Sequence, residues 1–398
     1  MTSEASEYTA PLRWIIVASG LGVAPSVFVG AMGVGVAIRL GLDVESLAIV
    51  LAVFMSASAL GSLRAGSVVR HLGVQRTLAV SSALVAASLA GIALVASSPL
   101  VVAGFLALGG AGNAMIQPAA NQAIHDRARL RSRGLLFGIK QAMLPVASLF
   151  AGLSVPLIAL PFGWPVAFLS MSGVALIIAA ALWRERASVG PSTLTIDGES
   201  AGLARACKVD VRLATYALVA VLGAIGTGTI GSFLVPSLLS WDVDPGRAGS
   251  LLALGAASGI TFRVVLGWMS DTFSRTPRPL LTVAFLKAFG AVMLYAFSTG
   301  ETGTALLVLV PLLFGAGHGW NGLFNLALAD HYGASTARAT GMVMSAQWVG
   351  AIVGPLIFGA VATRASFEHA WRFCAAATLI SAMVAIGLHR TSRLAPSP

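Results

Sequence analysis

The chain alternates between long apolar runs and short polar punctuation for nearly its whole length. Apolar stretches near 14 to 38, 46 to 69, 78 to 97, 100 to 123, 135 to 160 and 164 to 183 precede a polar segment from Arg184 to about Val211. Further runs follow near 212 to 239, 248 to 270, 279 to 298, 304 to 328, 340 to 362 and 370 to 389. Each is close to the roughly 20 residues that an α-helix needs to cross a hydrocarbon core about 30 Å thick. Inside a bilayer a segment must satisfy its own backbone polar groups, so such runs predict helices. The pattern predicts an all-α membrane protein with twelve transmembrane helices in two six-helix bundles, residues 1–183 and 212–398, joined by a linker over 184–211.

Composition supports this picture: 57% of the residues are hydrophobic and 10% charged, against roughly 25% charged in an ordinary soluble domain. Two cysteines, Cys207 and Cys374, offer no disulfide framework and no metal-ligand spacing, so no cofactor is expected. The first apolar run is too long for a signal-peptide core. A net charge of +10 would suit a nucleic-acid partner, but the basic residues lie in short loops without a basic-aromatic module. With the N-terminus inside, seventeen Lys/Arg fall on one side, and Arg39, Arg247, Arg364 and Arg372 on the other. The positive-inside rule then places both termini and the linker in the cytoplasm. Lysine is confined to Lys140, Lys208 and Lys287 while Ala, Gly and Arg abound, which hints at a GC-rich bacterial genome and hence a bacterial inner membrane.

The two halves echo each other, as in transporters built from repeats. The sixth run opens with Trp164 and Phe168 in "GWPVAFLSMSG", the twelfth with Trp371 and Phe373 in "AWRFCAAATLI"; a preference of aromatics for the membrane interface explains this pair equally well. After the eighth run, "GWMSDTFSRTPR" carries Gly267, Asp271, Arg275 and Arg278. The matching stretch after the second, "AGSVVRHLGVQR", keeps Gly66, Gly73 and Arg76 in register but has Arg70 at the acidic position. In these motifs, the helix count and the central linker, the sequence resembles the major facilitator superfamily. The resemblance implies two pseudo-symmetric bundles working by alternating access, with gating or structural roles for Gly66, Gly73, Arg76, Gly267, Asp271 and Arg275. Arg70 would need a partner other than the family's. The Gly-Pro pattern of drug and proton antiporters is not visible in "GIKQAMLPVASLFAG", and the family's early helix 4 arginine would fall near Phe105.

Four charged residues lie within the runs: Arg64, Lys140, Arg263 and Lys287. A charge at the bilayer centre costs about 2.5 to 3.5 kcal/mol on insertion scales, so such residues usually face a cavity. Arg263 sits about two turns before Asp271. Its guanidinium offers a planar fork of donors suited to a carboxylate or similar oxyanion. In this placement it resembles the helix 8 arginine of monocarboxylate carriers and nitrate/nitrite permeases; the competing reading is a structural arginine bonding backbone carbonyls. Arg64 is two residues out of register with Arg263 when Gly66 is matched to Gly267, and either reaches the same cavity or snorkels. Lys140 reads as interfacial, and Lys287 as belonging to a helix outside the cavity.

His318, Asn321 and Asn325 recur at helical spacing on one face of the tenth run, and the "GWNG" segment resembles the cyanate-permease branch. Asn113, Gln117 and Asn121 share a face of the fourth run, either lining the path or bonding helix to helix; Gln347 could reach the cavity from the eleventh. His318, with an ordinary pKa near 6.5, is a coupling candidate beside Asp43 and Glu45, or a neutral histidine bonded to another helix. All fifteen acids fall in tails, loops or helix ends. A cavity arginine without a cavity acid favours an anionic solute. The expectation is a monomeric secondary active transporter of a small anion, a carboxylate first, with proton symport, exchange and facilitation all open. An exporter of amphiphilic compounds is the alternative. No motif for catalysis is present.

Overall fold

A computed structural model describes residues 12–32, 43–127, 133–184, 210–272, 279–332 and 336–394. The first helix, α1, is broken into Leu12–Leu21 and Ala24–Ala31. It is followed by α2 (Val44–Val69) and α3 (His71–Val95), α4 (Pro99–Arg127), α5 (Arg133–Ser154) and α6 (Trp164–Arg184). The second half comprises α7 (Val211–Ser240), α8 (Pro245–Thr272), α9 (Pro279–Phe297), α10 (Leu306–Tyr332), α11 (Thr336–Arg364) and α12 (Phe367–Leu394). Eleven helices are long and apolar enough to cross a membrane, and the two pieces of α1, bent by 47°, make the twelfth. Most of the expected linker lies outside the described residues.

Two departures from the hydropathy pattern have local causes. The bend in α1 falls at Gly22, where an added Cβ would collide with Asn113 Oδ1. Pro25, in the first turn of the second piece, lacks a backbone N–H to continue the first. Between α2 and α3 the expected polar connection over 70–77 is helical except at Gly73, whose φ of 78° and ψ of 163° lie where only glycine is comfortable. Thr77 Oγ1 donates to the Gly73 carbonyl at 2.8 Å and steadies the new helix start.

The bundles are pseudo-symmetric in detail. Asp43 caps α2 by accepting from Ser46 N at 2.8 Å, and Asp244 caps α8 by accepting from Arg247 N at 3.0 Å. The numbering offset between these caps, 201, is also that between Gly66 and Gly267. In the first half Phe168 of α6 packs edge-on to Phe28 of α1, 5.7 Å between centroids. In the second half Trp371 of α12 is fully buried and donates to Ser237 Oγ of α7 at 2.8 Å. The echoed aromatics therefore tie the sixth helix of each half to the first.

The halves meet where α5 packs on α8, α2 on α11, and the second piece of α1 on α7. Glycines bring these backbones together. A Cβ at Gly152 would stand 2.6 Å from Ala253 N, one at Gly30 would stand 2.7 Å from Ser232 Cα, and one at Gly359 would collide with Ala48. The Arg364–Glu45 ion pair, 3.4 Å, closes the same end. About five turns along each helix the contact faces return: Gly66 lies below Ala48 and Gly341 below Gly359. Both are exposed, and nothing stands within 4 Å of a Cβ at Gly341. The α2–α11 seam is thus sealed at the Asp43 end and parted at the end of the α2–α3 and α10–α11 connections.

Candidate substrate site

Arg263 of α8 lies beyond the sealed part of the α5–α8 seam, about 15 Å along the helix from Ala253. Its Nε donates to the His318 carbonyl of α10 at 3.1 Å, and its Nη1 donates to the Gln141 carbonyl of α5. The guanidinium therefore spans the two halves through backbone oxygens and has no carboxylate partner among the described residues. Of its five N–H donors, two are engaged and three have no partner among the described residues. A planar edge of donors remains for a ligand.

His318 is half-buried, stacks on Phe314 at 5.3 Å between centroids, and places Nδ1 3.2 Å from the Phe314 carbonyl. A carbonyl only accepts, so Nδ1 carries the hydrogen and Nε2 is the nitrogen left to accept or take up a proton. One turn on, Asn321 Oδ1 accepts from Gln347 Nε2 at 3.3 Å, joining α10 to α11. Asn325 is half-buried on the same face.

The amides of α4 do a different job. Asn113 is buried and donates to Ser58 Oγ at 3.1 Å, while Gln117 donates to the Ser19 carbonyl at 3.2 Å. Both bond helix to helix within the first half. The Asn113 Oδ1 is nonetheless buried without a hydrogen-bond partner. Asn121 lies one turn beyond Gln117 on α4, but its side chain is outside the described set.

Arg64 does not join Arg263. It is exposed one turn after Leu60, beside Leu63, in a stripe where those leucines are 68% and 80% exposed. Under the 201-residue offset, Arg263 corresponds to Ser62 and Arg64 to Val265, itself exposed. Two residues of slippage rotate a side chain about 200° around a helix, which turns Arg64 to the outer face. Lys140, expected at an interface, is instead buried at 3% exposure, and Lys287 is buried at 1%.

A profile of the Major Facilitator Superfamily matches residues 15–337. The chain belongs to that superfamily. Two curated sequences, each described as an uncharacterized MFS-type transporter, come from Mycobacterium tuberculosis strains CDC 1551 / Oshkosh and ATCC 25618 / H37Rv. Each is 26% identical over 315 residues, 78% of this chain and 69% of the relative. Among solved structures, a D-xylose-proton symporter aligns with a TM-score of 0.75 at 15% identity, covering 94% of this chain and 96% of its own. A mutant of the nucleoside transporter NupG gives 0.76 at 15% identity, covering 95% and 99%. The xylose transporter XylE from E. coli in an inward open conformation gives 0.74 at 16% identity, covering 94% of each chain. These likenesses fix the fold, that of a multi-pass membrane transporter.

The superfamily's loop motif is only partly described. Gly73 is the kink between α2 and α3, Arg76 is exposed in the first turns of α3 and Gly66 is exposed on α2. Gly267 and Asp271 fall in the last two turns of α8, with the Asp271 side chain outside the described set. Arg275 and Arg278 lie outside the described residues, as does the Arg70 side chain. The outer acids are accounted for otherwise: Asp43 is a helix cap whose carboxyl the Ser46 hydrogen bonds hold below the usual carboxylate value, and Glu45 is the partner of Arg364. Sequence reasoning overlooked Gln141 as an Arg263 partner, because a backbone carbonyl leaves no mark in residue type.

Proposed function

We propose that this chain is a secondary active transporter of a small anion, first a short carboxylate, working by alternating access in a bacterial inner membrane. The observation that carries the reading is Arg263, a guanidinium held by two backbone carbonyls between the halves, with three N–H groups unpartnered and no carboxylate to neutralise it among the described residues. A fixed positive charge in a low-dielectric cleft attracts an anion more strongly than it would in water. The fork of donors then orients two of the anion's oxygens. His318 Nε2 and the Asn321–Gln347 amide pair flank the same stretch of α10 and supply further polar contacts to the solute.

Basic residues crowd the loops at the parted end of the α2–α11 seam, so the positive-inside rule makes that end cytoplasmic and the described state inward-facing. An anion bridging Arg263 to the first half would compete with the Gln141 carbonyl, and so bear on how the halves close. The protein acts as a monomer in this reading, since Arg263 and the groups that flank it all come from one chain.

The test is uptake of a radiolabelled short monocarboxylate by proteoliposomes. Saturable uptake is expected in the wild type, with Arg263→Ala lowering uptake efficiency on the order of 100-fold, the scale of a lost desolvated charge contact. Arg263→Lys should be a poor substitute. Uptake by Arg263→Ala with unchanged apparent affinity overturns the assignment. Saturable uptake confined to neutral or lipophilic cationic solutes favours an exporter of amphiphiles.

A further inference from the structure

Lys287 of α9 is 1% exposed, and its Nζ has no hydrogen-bond partner. The ammonium nitrogen sits 3.4 Å from the centroid of the Trp320 ring of α10. A cavity beside it is lined by Gly223, Thr227, Gly290, Gly317, Trp320 and Thr378, among others, with about 10 Å³ of room for a water's centre. That is about the space of one water. A Cβ at Gly223 of α7 would meet Nζ and the edge of the Trp320 ring, so the lysine's end rests directly against the α7 backbone.

A buried charge ordinarily has a counter-ion or is not charged at all. None stands beside Nζ among the described residues. From α7 the cavity receives Thr227, from α10 Trp320 and from α12 Thr378, none of them ionisable. The ionisable groups of those helices that are described stand elsewhere. Arg212, Tyr216, His331 and Tyr332 cluster at the α7 start and α10 end, and His318 faces Phe314. On α12, Cys374 meets Thr229, Glu368 accepts from Trp241, His369 meets Ser366, and Arg372, His389 and Arg390 do not line the cavity. The cavity is too small for a polyatomic anion, while the Trp320 face can stabilise a cation without bearing charge itself.

We infer that Lys287 is a proton-exchange site inside the second bundle, alternating between neutral amine and ammonium by gain and loss of one proton at Nζ. The ammonium form is held on the Trp320 ring, and the amine form is left with the water-sized cavity. Trp320 Nε1 donates to Thr227 Oγ1 at 3.3 Å, and Thr227 Oγ1 has its one hydrogen between the Gly317 carbonyl at 2.8 Å and the Gly223 carbonyl of its own helix at 3.0 Å. Gly317 adjoins His318, whose carbonyl holds Arg263. The charge on Lys287 is therefore linked through Trp320 and Thr227 of α7 to Gly317, which precedes the residue whose carbonyl holds Arg263. The inference stands independently of which solute is carried.

The chain has three lysines, Lys140, Lys208 and Lys287, which makes a direct test tractable. Purified protein labelled with 13C,15N-lysine and 15N-tryptophan is titrated between about pH 6 and 9. Lys287→Met and Trp320→Phe assign the two resonances. The expected result is a full amine-to-ammonium change of the Lys287 13Cε signal, accompanied by movement of the Trp320 indole signal that Lys287→Gln abolishes. A Lys287 signal that keeps one chemical form across the range overturns the inference. A Lys287 transition with a static Trp320 signal overturns the relay. If Lys287→Met does not fold, Lys287→Arg, which keeps the cation, provides the assignment.

Discussion

The two bundles share one scaffold and differ in charge at the matched positions. Under the 201-residue offset Arg263 corresponds to Ser62, which donates to its own helix at the Ala59 carbonyl, 2.6 Å away. Carried along to α9, the same offset pairs Lys287 with Ala86, whose carbonyl accepts from Ser172 at 2.8 Å. Where the second bundle holds an arginine and an unpaired lysine, the first holds a serine and an alanine with local hydrogen bonds satisfied. The amides of the first bundle, Asn113 and Gln117, are spent on helix contacts. Its contribution to Arg263 is a backbone carbonyl, Gln141. In the function proposed above, both halves share the rocking geometry and the ligand chemistry sits in one.

The sharpest way to break this comparison is to exchange the charges. Arg263→Ser, which makes the second bundle resemble the first, should lower anion uptake on the order of 100-fold, whereas Arg64→Ala should leave it within about twofold, because an exposed outer-face charge contributes little. Equal losses in the two would place the site in both halves.

The α2–α3 kink is next in size. Gly73→Val forces a β-branched residue to a φ of 78° and should cost about 1–3 kcal/mol, read as a fall in melting temperature. With nothing within 4 Å of an added Cβ, a clash of that atom cannot account for a loss; an unchanged melting temperature would mean that the kink has another conformation.

The helix caps should behave alike in the two halves. Asp43→Ala and Asp244→Ala remove equivalent hydrogen bonds and should each cost about 0.5–1 kcal/mol, the lower part of the capping range, since both are exposed. The Asp43 carboxyl is held below the usual carboxylate value by Ser46. Its contribution is therefore fully present above that usual value and is lost as pH falls through the lowered one, so the difference between wild type and Asp43→Asn should vanish in acid.

The smallest effect is expected at the α7–α10 end. Arg212 Nη1 lies 3.2 Å from His331 Nε2; partial burial and then Arg212 hold the His331 imidazole below its ordinary value. Stability from this group is present above about pH 6.5 and is lost as pH falls towards the lowered value, because the unfolded chain takes up the proton first. His331→Gln should flatten that part of the pH–melting curve by less than about 1 kcal/mol, given the exposure of the pair.

Hydropathy runs were enough to read an all-helical chain with up to twelve spans, because a bilayer admits few alternatives; the family came from the loop motifs around Gly66 and Gly267 as well. They misplaced the connection after α2 because His71, Leu72 and Val74 to Thr77 are compatible with helix and only Gly73 breaks it. Periodicity grouped Asn113 with Gln117 correctly but could not say whether their partners were solute or helix. The four intramembrane charges were all visible as letters. Their azimuths were not: Arg64 turned outward, while Lys140 and Lys287 turned inward against expectation. Lys287 could have been suspected from the scarcity of lysine and its place in the apolar run "LLTVAFLKAFGAV". The Trp320 ring that receives it could not.

The most direct test of the account is the thermal shift of purified wild-type and Arg263→Gln protein against matched short carboxylates, nitrate and cyanate, with neutral sugars, nucleosides and lipophilic cations as contrasts. Ligands that bind the folded state raise its apparent stability. The account predicts that one anion class stabilises the wild type, that the contrasts do not, and that Arg263→Gln loses the shift while melting cooperatively. Stabilisation by neutral or cationic compounds alone, or an anion shift that survives Arg263→Gln, would contradict it.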